Sequence, residues 1–105
     1  MHLVDERLQG RDNLLSLDIS KRLGSLEGWA LVEDKLTREF SFADFNEAFG
    51  FMTRAALIAE RLDHHPEWFN VYATVRVQLT THDADGISEL DFTLAEAMNR
   101  IAKSA

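Results

Sequence analysis

Three of the four histidines in this sequence lie next to predicted turns, and they are its best candidates for acid–base chemistry. His64 and His65 immediately precede Pro66, and His82 opens a polar segment that follows an apolar run. Because imidazole titrates near neutral pH, two or three histidines around one cavity can both donate and accept protons. A structural interpretation is equally open for His64 and His65, since imidazolium interacts favourably with the exposed carbonyls of a helix C-terminus.

A carboxylate precedes the histidine pair at helical spacing. Glu60 lies four residues before His64, and on a helix this spacing places the carboxylate one turn below the imidazole, where it could fix the tautomer. The same predicted helix also carries Glu47, Arg54 and Arg61. Spacing alone therefore favours the interpretation of Glu60 as one more solvated surface charge.

Metal and cofactor sites have little support in the sequence. Adjacent side chains such as His64 and His65 diverge on a helix or a strand, so one ion rarely accepts both. The chain has no cysteine, and none of its five glycines belongs to a phosphate-binding loop. We therefore expect no metal and no cofactor, and a metal-binding protein is the least favoured interpretation.

The acidic balance of the chain excludes some classes of partner. The 105 residues include 18 acidic and 11 basic side chains, for a formal charge of −7. This charge repels phosphate backbones and anionic lipid surfaces, so we expect neither nucleic-acid nor membrane binding. No apolar run approaches the roughly 20 residues of a membrane span, and no signal peptide is recognisable at the start. A cytoplasmic protein is the expectation.

Stepwise patterns along the chain predict the elements that position these side chains. Apolar residues recur at steps of three and four over 44–63, which indicates an amphipathic helix with Ser41 or Asp44 as its candidate N-cap and an end before Pro66. Ser88 and Asp91 form an acidic variant of a capping box, which predicts the start of a last helix. Alternating polarity predicts one long strand. The long strand is predicted over residues 70–80. Residues 11–24 are predicted to form a first helix, and residues 28–32 and 36–42 the two strands of a hairpin.

This order of elements predicts a single α+β domain over residues 1–105. A small antiparallel sheet of three to four strands would carry about three helices on one face. The exposed edge of the long strand favours pairing with a second copy, as a homodimer or homotetramer. Five phenylalanines are expected in the core, at positions 40, 42, 45, 49 and 51.

Three runs of the sequence, at 44–54, 64–72 and 79–83, resemble the pterin-4a-carbinolamine dehydratase family. The signature positions of that family are all matched, by Glu60, His64-His65-Pro66, Tyr72, His82 and Asp91. The resemblance covers Gly28 to about Ile101, while residues 1–25 match poorly and form a divergent N-terminal segment.

The resemblance implies dehydration of a 4a-hydroxytetrahydropterin to the quinonoid dihydropterin, without cofactor or metal, in functional association with an aromatic amino-acid hydroxylase. His64 and His82 would form the acid–base pair, and His65 would hold the pterin while assisting proton transfer. Glu60 would orient a histidine, and Asp91 would support His82. The other implied contacts involve the turn at Pro66, the pocket wall at Trp68, and the backbone of Thr81 and Asp83.

The family also provides the main alternative. Some of its animal members act as a dimerisation cofactor for a homeodomain transcription factor. A protein-binding module, or transcriptional coactivator, is therefore the alternative function, and it would use the outer faces of the helices rather than the histidines.

Overall fold

A computed structural model describes residues 13–104. In this part of the chain, three α-helices and a four-stranded antiparallel sheet form the predicted α+β architecture. The strands lie in the order β1-β2-β4-β3. The elements are α1 (Ser16–Leu23), β1 (Ala30–Val32), β2 (Lys35–Ser41), α2 (Phe45–Leu62), β3 (Glu67–Val71), β4 (Thr74–Leu79) and α3 (Glu89–Lys103).

The core lies between one face of the sheet and the helices α2 and α3. Alternate residues of β2 and β4 point into it, because successive side chains of a strand face opposite sides of the sheet. Small residues on the buried face of α2 allow that helix to approach the strands closely. The fully buried positions include Leu36, Val75, Val77 and Leu79 of the sheet, Ala48, Phe51 and Ala55 of α2, and Phe92, Leu94 and Met98 of α3.

The predicted long strand over 70–80 is wrong, because the chain reverses within it. Val71 pairs with Thr74, and the two residues between them form the turn of the β3–β4 hairpin. Tyr72 takes a left-handed backbone conformation with φ of 49°, a role usually given to glycine or asparagine. The sequence has neither at this position, so the usual hairpin signal is missing.

The phenylalanine prediction is correct for three rings and wrong for two. Phe40, Phe42 and Phe51 pack together, with ring centroids 4.7 Å apart for Phe40–Phe51 and 5.1 Å apart for Phe42–Phe51. Phe45 and Phe49 are instead 48% and 55% exposed. The face of α2 that meets the sheet is set by its buried alanines and Phe51, and Phe45 and Phe49 lie on the next face around the helix.

The start and end of α2 and the start of α3 lie where they were predicted. The side chain of Asp44 accepts a hydrogen bond from the Glu47 amide at 2.9 Å and caps the start of α2. At the other end, Asp63 turns left-handed, with φ of 50°, and the His64 amide donates to the Ala59 carbonyl at 3.0 Å. Ser88 and Asp91 form the capping box at the start of α3.

Among residues 13–104, no helix is long and apolar enough to span a membrane.

Candidate active site

Four chain segments meet at one end of the sheet and enclose a cleft of about 370 Å³. The end of α2, the start of β3, the end of β4 and the 3-10 turn at His82–Ala84 all contribute. The cleft brings together five of the predicted site residues; its lining is Asp63, His64, His65, Pro66, Glu67, Thr80, His82 and Asp83. A larger groove of about 650 Å³ runs beside α1, but no predicted site residue is among those lining it.

His64 is the most enclosed of the three histidines. Only 5% of its side chain is exposed, and its Nε2 lies 2.6 Å from Oδ1 of Asp91, which is fully buried. The second oxygen of that carboxylate, Oδ2, accepts hydrogen bonds from the Thr81 hydroxyl at 2.8 Å and from the Ser88 amide at 2.9 Å. The expected support of His82 by Asp91 is therefore wrong. The first turn of α3 packs against the end of α2, and this contact directs Asp91 to His64.

His65 points outward, and it is His65 rather than His64 that pairs with Glu60. Its Nε2 lies 2.7 Å from Glu60 Oε1, and the two side chains are 57% and 80% exposed. The expected geometry, with Glu60 one turn below His64, does not occur because α2 ends at Leu62. The left-handed turn at Asp63 then directs His64 inward and His65 back over the last turn of the helix.

His82 is highly exposed at the edge of the cleft, and its nearest carboxylate belongs to Glu67, which no sequence pattern singled out. Its Nε2 lies 4.0 Å from Glu67 Oε2, while Oε1 of Glu67 accepts a hydrogen bond from Lys35 Nζ at 2.7 Å. Glu67 begins β3 directly after Pro66, at the same end of the sheet where β4 leads into His82. Glu67 could therefore have been identified from the pairing of β3 with β4, had the hairpin been predicted.

Two predicted binding residues lie elsewhere. Trp68 is half-buried and packs against the hydrophobic core, and it is not among the described residues that line the cleft. Thr81 is buried beneath the cleft, and its amide and carbonyl are already bonded to Gly86 at 2.8 and 3.3 Å. The neighbouring Thr80 lines the cleft in its place.

The described part of the chain contains no group of three or more histidine, cysteine, aspartate or glutamate side chains arranged to hold a metal ion. What the cleft offers instead is three imidazoles, each facing one carboxylate at 2.6, 2.7 or 4.0 Å. Such a site can donate a proton to one atom of a bound molecule and remove a proton from another.

Comparison with known proteins gives one consistent answer. Residues 12–101 match the sequence profile described as Pterin 4 alpha carbinolamine dehydratase. A Rhodopseudomonas palustris (strain HaA2) protein, provisionally named pterin-4-alpha-carbinolamine dehydratase, is 58% identical over 99 residues, covering 92% of each chain. A Nitrobacter winogradskyi protein with the same provisional name is 61% identical over 83 residues, covering 77% of this chain and 82% of that protein.

The fold has a solved counterpart. A crystal structure of a Brucella melitensis protein, described as transcriptional coactivator/pterin dehydratase, superimposes with a TM-score of 0.85 at 49% sequence identity. The match covers 87% of this chain and 99% of that one. The profile match begins at residue 12, so family similarity extends further toward the N-terminus than the poor match expected for residues 1–25. The chain belongs to the pterin-4-alpha-carbinolamine dehydratase family.

Proposed function

We propose that this protein dehydrates a 4a-hydroxytetrahydropterin to the quinonoid dihydropterin. In this reaction the C4a–O bond breaks, and the hydroxyl takes a proton and leaves as water. N5 loses its proton, and the electron pair of the N5–H bond becomes the second bond between N5 and C4a. The observation that carries the proposal is the cleft itself, where His64, His65 and His82 stand together with a carboxylate opposite each.

The reaction needs one acid and one base, and the cleft offers imidazoles from two separate loops. We assign the acid–base pair to His64 and His82, because one lies on the α2–β3 connection and the other follows β4. A flat ring between the two loops would have one imidazole near each. His65, exposed and paired with Glu60, is assigned to holding the pterin. Pro66 and Asp83 line the same cleft and complete the proposed binding surface.

Single substitutions test these roles. We expect His64→Ala and His82→Ala each to lower kcat by about 10²-fold, the low end of the effect of one general acid or base. His65→Ala is expected chiefly to raise KM. The assay follows quinonoid dihydropterin formation from chemically generated 4a-hydroxytetrahydropterin. The control Glu39→Ala/Arg76→Ala removes two exposed charges on the open face of the sheet and should match the wild type. Loss of kcat in His65→Ala alone would contradict the assignment.

The substrate class suggests a biological setting. We propose that the pterin comes from an aromatic amino-acid hydroxylase, which leaves this carbinolamine after each turnover, and that the reaction takes place in the cytoplasm without metal or cofactor. Dialysis against EDTA should leave kcat unchanged under this proposal. A loss of activity that added Zn²⁺ restores would contradict it.

We also propose that two copies of the chain pair through β3, giving a homodimer or homotetramer. Among residues 13–104, β3 pairs with β4 alone, so its outer edge keeps unpaired backbone groups. Phe69 and Val71 of this strand are 65% and 58% exposed. Light scattering should give a mass of two or four chains, and Val71→Lys should lower it. A monomeric wild type at micromolar concentration would contradict the proposal.

One observation favours the second candidate function, a protein-binding module. The outward face of α2 exposes Phe45, Phe49 and Leu57, away from the histidine cleft. The Brucella melitensis counterpart is described as a transcriptional coactivator as well as a dehydratase. Phe45→Ser/Phe49→Ser separates the two functions, because it should leave dehydration unchanged and abolish any binding through this face. Loss of dehydration in this variant would show that the face supports the active site.

A further inference from the structure

A buried polar cluster lies beneath the cleft, on the side of His64 that faces the core. Thr81, Ser88 and Asp91 have at most 1% of their surface exposed. Polar groups are buried in this way only when hydrogen bonds replace their contacts with water. Within residues 13–104, no buried side-chain nitrogen or oxygen lacks a partner. The cluster is therefore fully bonded, and the direction of each hydrogen bond can be worked out.

The direction follows from the number of hydrogens available. An ionised carboxylate only accepts, so Oδ2 of Asp91 receives the single hydroxyl hydrogen of Thr81 at 2.8 Å. Thr81 has no second hydrogen to give, so in its 2.6 Å contact with Ser88 the serine hydroxyl is the donor. The Ser88 amide also donates to Oδ2 at 2.9 Å. Ser88 therefore donates to Thr81, and Thr81 donates to Asp91.

The same count fixes the proton on His64. Its Nε2 lies 2.6 Å from Oδ1 of Asp91 and must carry a hydrogen to make that bond. In the neutral ring the free electron pair then lies on Nδ1. Among residues 13–104, Nδ1 of His64 has no hydrogen-bond partner. Every side-chain nitrogen that is fully buried in this part of the chain does have one, so Nδ1 is not fully buried. This nitrogen therefore reaches the cleft that His64 lines.

We propose that Thr81 is a positioning residue, whose hydroxyl holds the Asp91 carboxylate so that His64 presents an unprotonated Nδ1 to the substrate. The part that concerns substrate rests on the function proposed above. Without the hydroxyl, Oδ2 keeps only the Ser88 amide, and the carboxylate can turn about its Cβ–Cγ bond. The ring of His64 then loses its fixed acceptor, and the tautomer with hydrogen on Nδ1 becomes populated.

Thr81→Val tests this inference, because valine nearly preserves the shape and removes the hydroxyl. The ¹⁵N chemical shifts of the ligand-free protein report which nitrogen of His64 carries the hydrogen. We expect a second tautomer in Thr81→Val, and a fall in kcat of about 10-fold with KM unchanged, the low end for partners that orient a histidine. Thr81→Ser keeps the hydroxyl and should behave as wild type. The control Thr74→Val removes a threonine hydroxyl at the start of β4, the strand that leads to Thr81.

Two results would overturn the proposal. One is a Thr81→Val protein whose His64 keeps its hydrogen on Nε2 alone. The other is an equal loss of kcat in Thr81→Ser, which would point to packing rather than to the hydroxyl. Should Thr81→Val not fold, Thr81→Ala removes the same hydroxyl with a smaller side chain and leaves Ser88 and Asp91 unchanged. The same tautomer change is then expected.

The tautomer measurement needs no turnover, so failures of the two proposals look different. A wild type without dehydratase activity, together with a shifted tautomer in Thr81→Val, would contradict the proposed function but support the role of Thr81 in positioning His64. Dehydratase activity in the wild type, together with an unshifted His64 tautomer in Thr81→Val, would support the proposed function but contradict the role of Thr81.

Discussion

Replacement of Asp91 by asparagine is the perturbation whose outcome the site geometry defines most sharply. In Asp91→Asn the amide has one oxygen and one NH₂ group in place of two equivalent oxygens. The Ser88 amide and the Thr81 hydroxyl both donate to the Oδ2 position, at 2.9 and 2.8 Å, so the oxygen must stay there. The NH₂ group then faces Nε2 of His64, which lay 2.6 Å from Oδ1.

This arrangement reverses the tautomer of His64. Nε2 must now accept a hydrogen bond, so the ring hydrogen moves to Nδ1, and the nitrogen that faces the cleft can no longer remove a proton. In the serine-protease triad the equivalent exchange lowers kcat by about 10⁴ while the geometry stays intact. A general base contributes about 10²–10⁴. Because His82 remains in place, we expect a loss of about 100-fold in kcat, equivalent to about 2.7 kcal/mol.

Stopped-flow measurement of quinonoid dihydropterin formation gives kcat, and ¹⁵N shifts of His64 give the tautomer. The matched control is Asp44→Asn, the same exchange at the N-cap of α2, where aspartate and asparagine cap equally well. It should leave kcat, tautomer and melting temperature unchanged. An Asp91→Asn protein that folds and keeps kcat within about twofold of wild type, well short of the loss of a general base, would contradict the role assigned to Asp91.

Three further predictions follow from other contacts. Glu60→Gln should lower kcat by less than about fivefold, because an exposed pair such as Glu60–His65 contributes at most about 1 kcal/mol; a hundredfold loss would contradict this. Tyr72→Asn should raise the free energy of unfolding by about 0.5 kcal/mol, since asparagine tolerates the left-handed turn; a loss in urea denaturation would mean that the tyrosine ring stabilises the hairpin. A hydrogen bond from Arg22 lowers the pKa of Glu89, so their pair adds stability above pH 4.5, the ordinary value, and loses it as the pH falls through the lowered one. The melting temperature of Arg22→Met should therefore approach that of wild type in acid. A difference in melting temperature that stays constant with pH would contradict a stabilising role of the Arg22–Glu89 pair.

The sequence was most informative where the relevant contacts are local. The α2 cap at Asp44, the end of α2 before Pro66 and the Ser88–Asp91 capping box each depend on residues within a few positions of one another. Short-range hydrogen bonds and steric limits determine such features, so residue type and spacing were sufficient to predict them.

The partners of the histidines could not be derived in this way. Asp91 lies 27 residues after His64, and their contact exists because α3 packs against the end of α2. Glu60 was placed relative to His64 on the assumption that the helix continued, and one left-handed residue at Asp63 changed which histidine it meets. Glu67 required the position of β3 in the sheet.

The hairpin shows how a correct pattern can give a wrong element. Alternation of polarity continues from Val71 to Leu79, and it suggests a single strand with one buried face. In the structure Val77 and Leu79 are buried, whereas Val71 is 58% exposed because the turn places it on the opposite face of the sheet. A two-residue turn without glycine leaves no mark in such a pattern.

We propose above that the histidine cleft dehydrates a carbinolamine without metal. The most direct test compares wild type with His64→Ala/His82→Ala in EDTA, by the rate at which quinonoid dihydropterin forms above the spontaneous rate. We expect a clear acceleration by wild type in chelator and almost none by the double variant, with both proteins folded by circular dichroism. Equal acceleration by the two proteins, or none by wild type, would contradict it.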